Sequence, residues 1–256
     1  MVKLSVNLNK IAVIRNSRGG DLPSVLKAAR TSIAAGCHGI TVHPRPDGRH
    51  IRRQDVFDLS ALLTQEYKRI EFNIEGYPGA EFLELIHEVR PTQCTLVPDP
   101  PGVLTSNAGW KLDDSAEWLR EVLAKMRSES IRTSLFVEPN AETIERAKGL
   151  GADRIELYTG PYAAAFDTPE RDAVLGAHRD AAKLARRIGL GVNAGHDLDL
   201  RNLPLYVKTV KGLQETSIGH ALISDAIYTG LARAVKAYLK ALGSKPLAVY
   251  ASDSRA

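Results

Sequence analysis

Arg132-Thr-Ser-Leu-Phe-Val-Glu-Pro-Asn-Ala-Glu-Thr-Ile-Glu-Arg-Ala-Lys-Gly-Leu-Gly-Ala-Asp-Arg-Ile-Glu-Leu-Tyr158 holds a strand, a helix and a second strand in one short stretch. The run Arg132 to Glu138 is apolar and bounded by turn residues, as a buried strand is. Glu138-Pro-Asn-Ala carries the start signals of a helix, and Ala141 to Leu150 has helical spacing. Gly149 and Gly151 stand where that helix should end, and Arg154 to Tyr158 resumes the strand pattern. A helix between two strands is the unit from which parallel sheets are built.

Working outward, the same alternation runs through the chain. Eight strands are predicted: Lys3 to Asn9, Gly39 to His43, Arg69 to Glu75, Gln93 to Val97, Arg132 to Glu138, Arg154 to Tyr158, Gly191 to Asn193 and Glu215 to Gly219. The helical segments between and after them are Pro23 to Ala35, Gln54 to Tyr67, Ala80 to Arg90, Ser115 to Ser128, Ala141 to Leu150, Pro169 to Ile188 and Ser224 to Leu242. Asp21-Leu-Pro-Ser opens one of these, while Gly189 and Gly243 close others. The connection Asp197 to Gly212 has no clear pattern. Eight such units in 256 residues fit a (β/α)8 TIM barrel. An open doubly wound sheet is the second choice, but Asn7-Leu-Asn-Lys-Ile stands where its glycine-rich turn would follow the first strand. A single domain over 1–256 is expected, with 244–256 as a flexible tail.

With 44% hydrophobic and 25% charged residues, the chain can fill a globular core. No run is long and apolar enough for a membrane span, and Met-Val-Lys-Leu-Ser-Val-Asn cannot serve as a secretory signal, so a cytoplasmic enzyme is expected. Cys37 and Cys94 lie in apolar surroundings without ligand spacing, which reads as two reduced, buried thiols. The net charge of +4 is scattered among carboxylates along the helices, fitting anionic metabolites as well as nucleic acid.

Active sites of such barrels lie at the carboxyl ends of the strands. Those ends carry Asn7 and Asn9, His43, Glu75, Thr105 on the loop after strand four, Glu138, Glu156 with Tyr158 and Thr159, Asn193 with His196, and Gly219 with His220. Loops are polar in general, but chance does not readily put three of seven histidines and three carboxylates there. His43-Pro-Arg-Pro-Asp-Gly-Arg-His50 is stiffened by two prolines, and Arg45, Arg49 and His50 on it suit a phosphate. Gly195-His196 and Gly219-His220 end adjacent strands, where barrels often bind phosphate. Glu75 closes an apolar strand, so burial would raise its pKa into the range of a proton carrier, although pairing with an arginine explains it equally well. Arg15 and Arg18 read as solvated cations or as a second phosphate clamp. No zinc-helix pattern and no nucleophile elbow is present, so neither a metal nor a nucleophilic serine is expected.

Ser5-Val-Asn-Leu-Asn-Lys-Ile-Ala-Val-Ile-Arg-Asn-Ser-Arg-Gly19, Gly39-Ile-Thr-Val-His-Pro-Arg45, Phe72-Asn-Ile-Glu75, Ile155-Glu-Leu-Tyr-Thr-Gly160, Val192-Asn-Ala-Gly-His196 and Ile218-Gly-His-Ala-Leu-Ile223 follow one another in the order of a known series. The chain resembles the pyridoxine 5'-phosphate synthase family over about residues 3 to 242. That resemblance implies condensation of 3-amino-2-oxopropyl phosphate with 1-deoxy-D-xylulose 5-phosphate, with loss of phosphate and water and without metal or organic cofactor. It implies that His43 and Glu75 accept protons, that His196 donates one and that Glu156 stabilises a transition state. Asn7, Arg18, Gly219 and His220 would hold the amino-ketone phosphate, and Arg45, His50 and Thr105 the deoxyxylulose phosphate. A homo-octamer with short helices beyond the eight is implied as well, with no nucleic acid or membrane partner.

Two departures stand out. Asn9-Lys10 replaces a common Asp-His, where Lys10 could serve the deoxyxylulose phosphate, and Asp197 replaces a common glycine. Asp197 would then contribute its backbone N–H to binding. Two other readings remain: a Schiff-base lyase built on Lys10, and a barrel that binds a phosphorylated ligand without turning it over. The stretch Gly102 to Trp110, with Thr105, is expected to close over the site.

Overall fold

The computed structural model describes residues 1–99, 108–113 and 116–248. Strands β1 (Lys3–Asn7), β2 (Gly39–Val42), β3 (Glu71–Gly76), β4 (Gln93–Leu96), β5 (Arg132–Val137), β6 (Arg154–Leu157), β7 (Gly191–Ala194) and β8 (Leu213–Ile218) close into one barrel in chain order. Every neighbour is parallel, and the ring is sealed by β1 on β8, with Lys3 beside Glu215 and Val6 beside Ile218. The expected TIM barrel is therefore the fold.

Helices fill the crossovers. α1 (Asn9–Asn16) and α2 (Val25–Ala34) follow β1, α3 (Arg53–Glu66) follows β2 and α4 (Ala80–Val89) follows β3. α5 (Leu119–Ser128), α6 (Ala141–Leu150), α7 (Gly160–Ala165) with α8 (Arg171–Arg187), α9 (Leu203–Thr209), and α10 (His220–Thr229) with α11 (Leu231–Ala241) complete the set among the described residues. The start signals act as read: Ser24 Oγ accepts the Lys27 N–H and Asn140 Oδ1 accepts the Thr143 N–H, capping α2 and α6.

Of the boundaries that differ from the sequence reading, three matter most. β1 stops at Asn7 instead of Asn9, because Asn7 Oδ1 accepts the Asn9 N–H at 3.0 Å and turns the chain directly into α1. The pattern-free connection Asp197 to Gly212 contains α9. The segment Ser224 to Leu242 is two helices, separated by Gly230 at φ 84°, which a continuous helix cannot contain.

Alternate strand positions divide the barrel sharply. Leu4, Val6, Ile40, Val42, Ile74, Leu96, Leu135, Val137, Ile155 and Leu157 are fully buried and pack beneath the helices. The intervening positions face inward and are mostly polar, where such barrels usually carry branched aliphatic residues. The strands are thus apolar on one face only. At the lowest level Lys3 and Arg132 both donate to Glu71. Arg132 Nε and Arg154 Nη1 reach Gln93 Oε1 at 2.9 and 3.2 Å, and Arg154 also meets Glu215 at 3.4 Å and Asn193 at 3.2 Å. Above them Ser5, Thr41, Asn73 and Thr95 form a hydrogen-bonded belt of 2.6 to 3.4 Å links. These groups satisfy one another, which is the condition for burying them.

Of the stretch 244–256, residues 244–248 lie against the amino-terminal end of the barrel. Ser244 Oγ donates to the Val2 carbonyl, and the Leu247 N–H donates to the Gly36 carbonyl at 3.0 Å. Residues 249–256 lie outside the described residues.

Arg15 corrects one expectation. It is no phosphate clamp: it is 5% exposed and grips Asp55 through two bonds of 2.5 and 2.9 Å, while its Nη2 also donates to the His50 carbonyl. Asp55 in turn accepts the Arg52 N–H at 2.7 Å, so this pair ties α1, α3 and the loop 44–52 together. Breaking a buried pair on one side strands a charge. Asp55→Ala should therefore cost about 3–5 kcal/mol in urea unfolding, and Arg15→Met with Asp55→Leu in one chain should cost much less.

Candidate active site

At the carboxyl ends of the strands a cavity of about 620 Å³ opens. His43, Glu75, Glu156 and His196, four strand-end residues from four different crossovers, all line it. Asn7, Asn9, Lys10, Arg45, His50, Asp197, Gly219 and His220 line it too. Arg18 does not: it is exposed on the turn after α1 and is absent from the lining. Thr105, and the expected closing segment up to residue 107, lie outside the described residues. Asn193 is one level lower, bonded to Arg154, and Glu138 caps the Gly109 N–H at 3.0 Å instead of joining the cavity.

His43 directly follows β2, and its backbone N–H donates to Asn9 Oδ1 at 2.8 Å. Its ring lies edge-on to His50 at 6.0 Å. Burial, followed by the charge of Arg45, holds the His43 imidazole well below its usual pKa, so at neutral pH it is an uncharged proton acceptor. His50 is likewise pushed down to about 4, first by burial and then by Arg45. Its Nδ1 accepts the Ile51 N–H at 2.9 Å, which leaves Nε2 to carry the ring proton. His50 is therefore a neutral donor and adds no positive charge to the loop. Arg45 is buried and bonded to Asp99 Oδ2 at 3.0 Å, a partner that sequence reading did not supply.

Glu75 keeps one side open to the cavity but sits deep in the barrel. Asn7 Nδ2 donates to it at 3.3 Å and Ser217 Oγ at 3.5 Å. Desolvation, then repulsion from Glu215, raises its pKa to about 8. Glu156 is 4% exposed, and its Oε2 has no hydrogen-bond partner among the described residues. Burial and the neighbouring Glu75 raise it well above the usual carboxyl range. Two buried carboxyls that repel each other do not both ionise readily, so near neutral pH Glu156 stays a neutral acid while Glu75, at about 8, is poised to give up or take a proton.

His196 is placed by the backbone. Thr159 Oγ1 donates to its carbonyl, and Asn202 Nδ2 donates to the next one, that of Asp197, at 3.1 Å. Its ring packs near Tyr158 and Phe136, with centroids at 5.4 and 6.2 Å. Gly195 is required here: a Cβ on it would stand 2.0 Å from the Ser217 carbonyl oxygen. Burial lowers the His196 pKa, while Asp197 and Asp99 act against that fall.

Sequence reading missed Thr95, Phe136 and Ser217, which line the cavity, and Asp99. The two hydroxyl residues could have been found from period two: each stands at an inward position, Thr95 level with Glu75 and Ser217 two before Gly219. Because the Ser217 hydroxyl favours the ionised form of Glu75, Ser217→Ala should move the Glu75 midpoint above about 8, as read by carbon NMR of labelled glutamate.

Residues 4–244 match the family described as pyridoxal phosphate biosynthesis protein PdxJ. A pyridoxine 5'-phosphate synthase of Bacteroides fragilis is 54% identical over 242 residues, covering 94% of this chain and 100% of that protein. The protein of the same name from Flavobacterium johnsoniae is 50% identical over 242 residues, with the same coverage. Among solved structures, phosphoribosyl anthranilate isomerase from Thermotoga maritima is similar with a TM-score of 0.58, covering 95% of this chain and 99% of that one, and its 14% identity speaks for the barrel alone. With the match running over nearly all of the chain, this protein belongs to the PdxJ family of pyridoxal phosphate biosynthesis proteins.

Proposed function

We propose that this chain is a pyridoxine 5'-phosphate synthase: it joins 3-amino-2-oxopropyl phosphate to 1-deoxy-D-xylulose 5-phosphate, closing the pyridine ring of pyridoxine 5'-phosphate. The observation that carries the reading is the convergence of His43, Glu75, Glu156 and His196 on one cavity at the barrel mouth. Relatives that cover 94% of this chain carry the same name.

Imine formation makes a carbon–nitrogen bond, loss of inorganic phosphate and dehydration break carbon–oxygen bonds, and each needs protons moved; the balance of atoms requires two molecules of water to leave. Neutral His43 takes the proton that the attacking amine must lose. Glu75, with its raised pKa, removes a carbon-bound proton more readily than an ordinary carboxylate and returns it near neutral pH. Glu156, kept protonated by burial, donates a hydrogen bond to oxygen that gains charge in the transition state. His196 on the facing loop gives a proton to a departing oxygen. The amino-ketone phosphate lies by Asn7, Gly219 and His220 at the start of α10, and the sugar phosphate by Lys10, Arg45 and His50. Lys10 stands exposed at the rim of the cavity instead of buried among the acid-base groups, which favours this reading over a Schiff-base lyase.

The enzyme works in the cytoplasm as a homo-octamer; no helix among the described residues is long and apolar enough to cross a membrane. Support for assembly comes from the outer faces of α1 and α10, two helices in contact. There Ile14, Ile227 and Tyr228 are exposed, Tyr228 by 89%.

Purified protein given both substrates should release phosphate and a pyridine product without added metal. No turnover with that pair rejects the reading, and borohydride trapping of substrate on Lys10 would favour the lyase instead. His196→Gln should lower kcat by about 10²-fold or more. Native mass spectrometry should find eight chains, and Tyr228→Glu should shift the population toward smaller assemblies.

A further inference from the structure

Asp197 occupies a backbone conformation that costs something to hold. Its φ is +60°, one of three non-glycine residues on the positive side among the described residues. Aspartate tolerates this region better than most side chains, but glycine adopts it freely. Two anchors enforce it: Thr159 on the His196 carbonyl and Asn202 on the Asp197 carbonyl. Asn202 is itself held, since Tyr162 Oη donates to its carbonyl at 2.9 Å and its Oδ1 accepts the Asp199 N–H at 2.9 Å. A strained residue that carries a side chain points to a use for that side chain. Here the carboxylate is turned back on its neighbour, with Oδ2 3.5 Å from His196 Nε2.

We propose that Asp197 is a positioning residue for His196, its carboxylate orienting the imidazole and favouring its charged, proton-donating form at the edge of the cavity. The proposal rests on the reading of His196 as the proton donor. It gives the Asp197 side chain a role different from ligand binding, for which a carboxylate beside a phosphate is poorly suited.

The other groups around the ring do not supply this effect alone. Asp99, beyond β4, also favours the charged ring, while Lys10 on α1 and His220 on α10 oppose it. Tyr158 and Phe136 present uncharged rings. Asp197 is the adjoining carboxylate, and it offsets part of the burial that favours the neutral ring. The His196 side chain is 28% exposed and that of Asp197 is 49% exposed, so water screens part of the attraction.

The test uses Asp197→Asn, which keeps the shape and the tolerance of positive φ, and Asp197→Gly, which also releases the backbone. The His196 midpoint is read by NMR of histidine labelled at Cε1 and assigned with His196→Gln. Both variants should lower it by roughly 0.5 to 1 pH unit. A group that must be protonated loses activity as pH rises through its pKa, so the alkaline limb of kcat should move to lower pH by the same amount. Asp197→Gly should also melt above the parent. An unmoved midpoint in Asp197→Asn overturns the proposal, as does a lower kcat with the limb in place. Should the parent make no product at all, the synthase reading fails, while the midpoint still decides whether Asp197 charges His196.

Discussion

Burial of several carboxyls in one barrel interior, reinforced by their mutual repulsion, is the constraint on which the site depends. Glu75, Glu156 and Glu215 all point into one narrow tube where water cannot shield them, and each is raised above its ordinary pKa with burial as the leading cause. The tube remains foldable because its lower level is richer in cations: Lys3, Arg132 and Arg154 meet Glu71 and Glu215 there. Charge is thus neutralised at one end and left uncompensated at the other. The uncompensated end is where protons can be stored and moved, and it is the end that opens to the cavity.

The cavity also depends on struts that touch no ligand. The Arg15–Asp55 pair fixes the loop of Arg45 and His50 from behind, through the His50 carbonyl and the Arg52 N–H. Thr159 and Asn202 do the same for His196 across the barrel. In both places a stiff wall carries a short loop, which limits the entropy lost when substrates are aligned. The wall is apolar on its outer face, where strands and helices share one continuous core.

Much of this was legible in the sequence because strand ends are local features. His43, Glu75, Glu156 and His196 each follow or close a short apolar run, and eight such runs at even spacing imply a closed barrel. The polar interior was not legible in the same way. Lys3, Ser5, Thr41, Asn73 and Thr95 sit within runs that read as apolar overall, and their meaning emerges only when alternate positions are assigned to the inside. Arg15 deceived for a different reason: its partner Asp55 is remote in sequence, and two arginines beside two glycines look the same whether they bind phosphate or another side chain. The division of the last helix at Gly230 was hidden because both halves keep helical spacing.

The seam between β1 and β8 has a bearing on biosynthesis. Residues of the first strand must wait for partners more than two hundred positions later, so on the ribosome the growing sheet has two open edges until almost the whole polypeptide has emerged. Unpaired backbone on such edges invites pairing with other nascent chains. The charged inner side chains of β1 and β8, Lys3 and Glu215, make that face a poor match for a foreign apolar strand until the ring finally shuts.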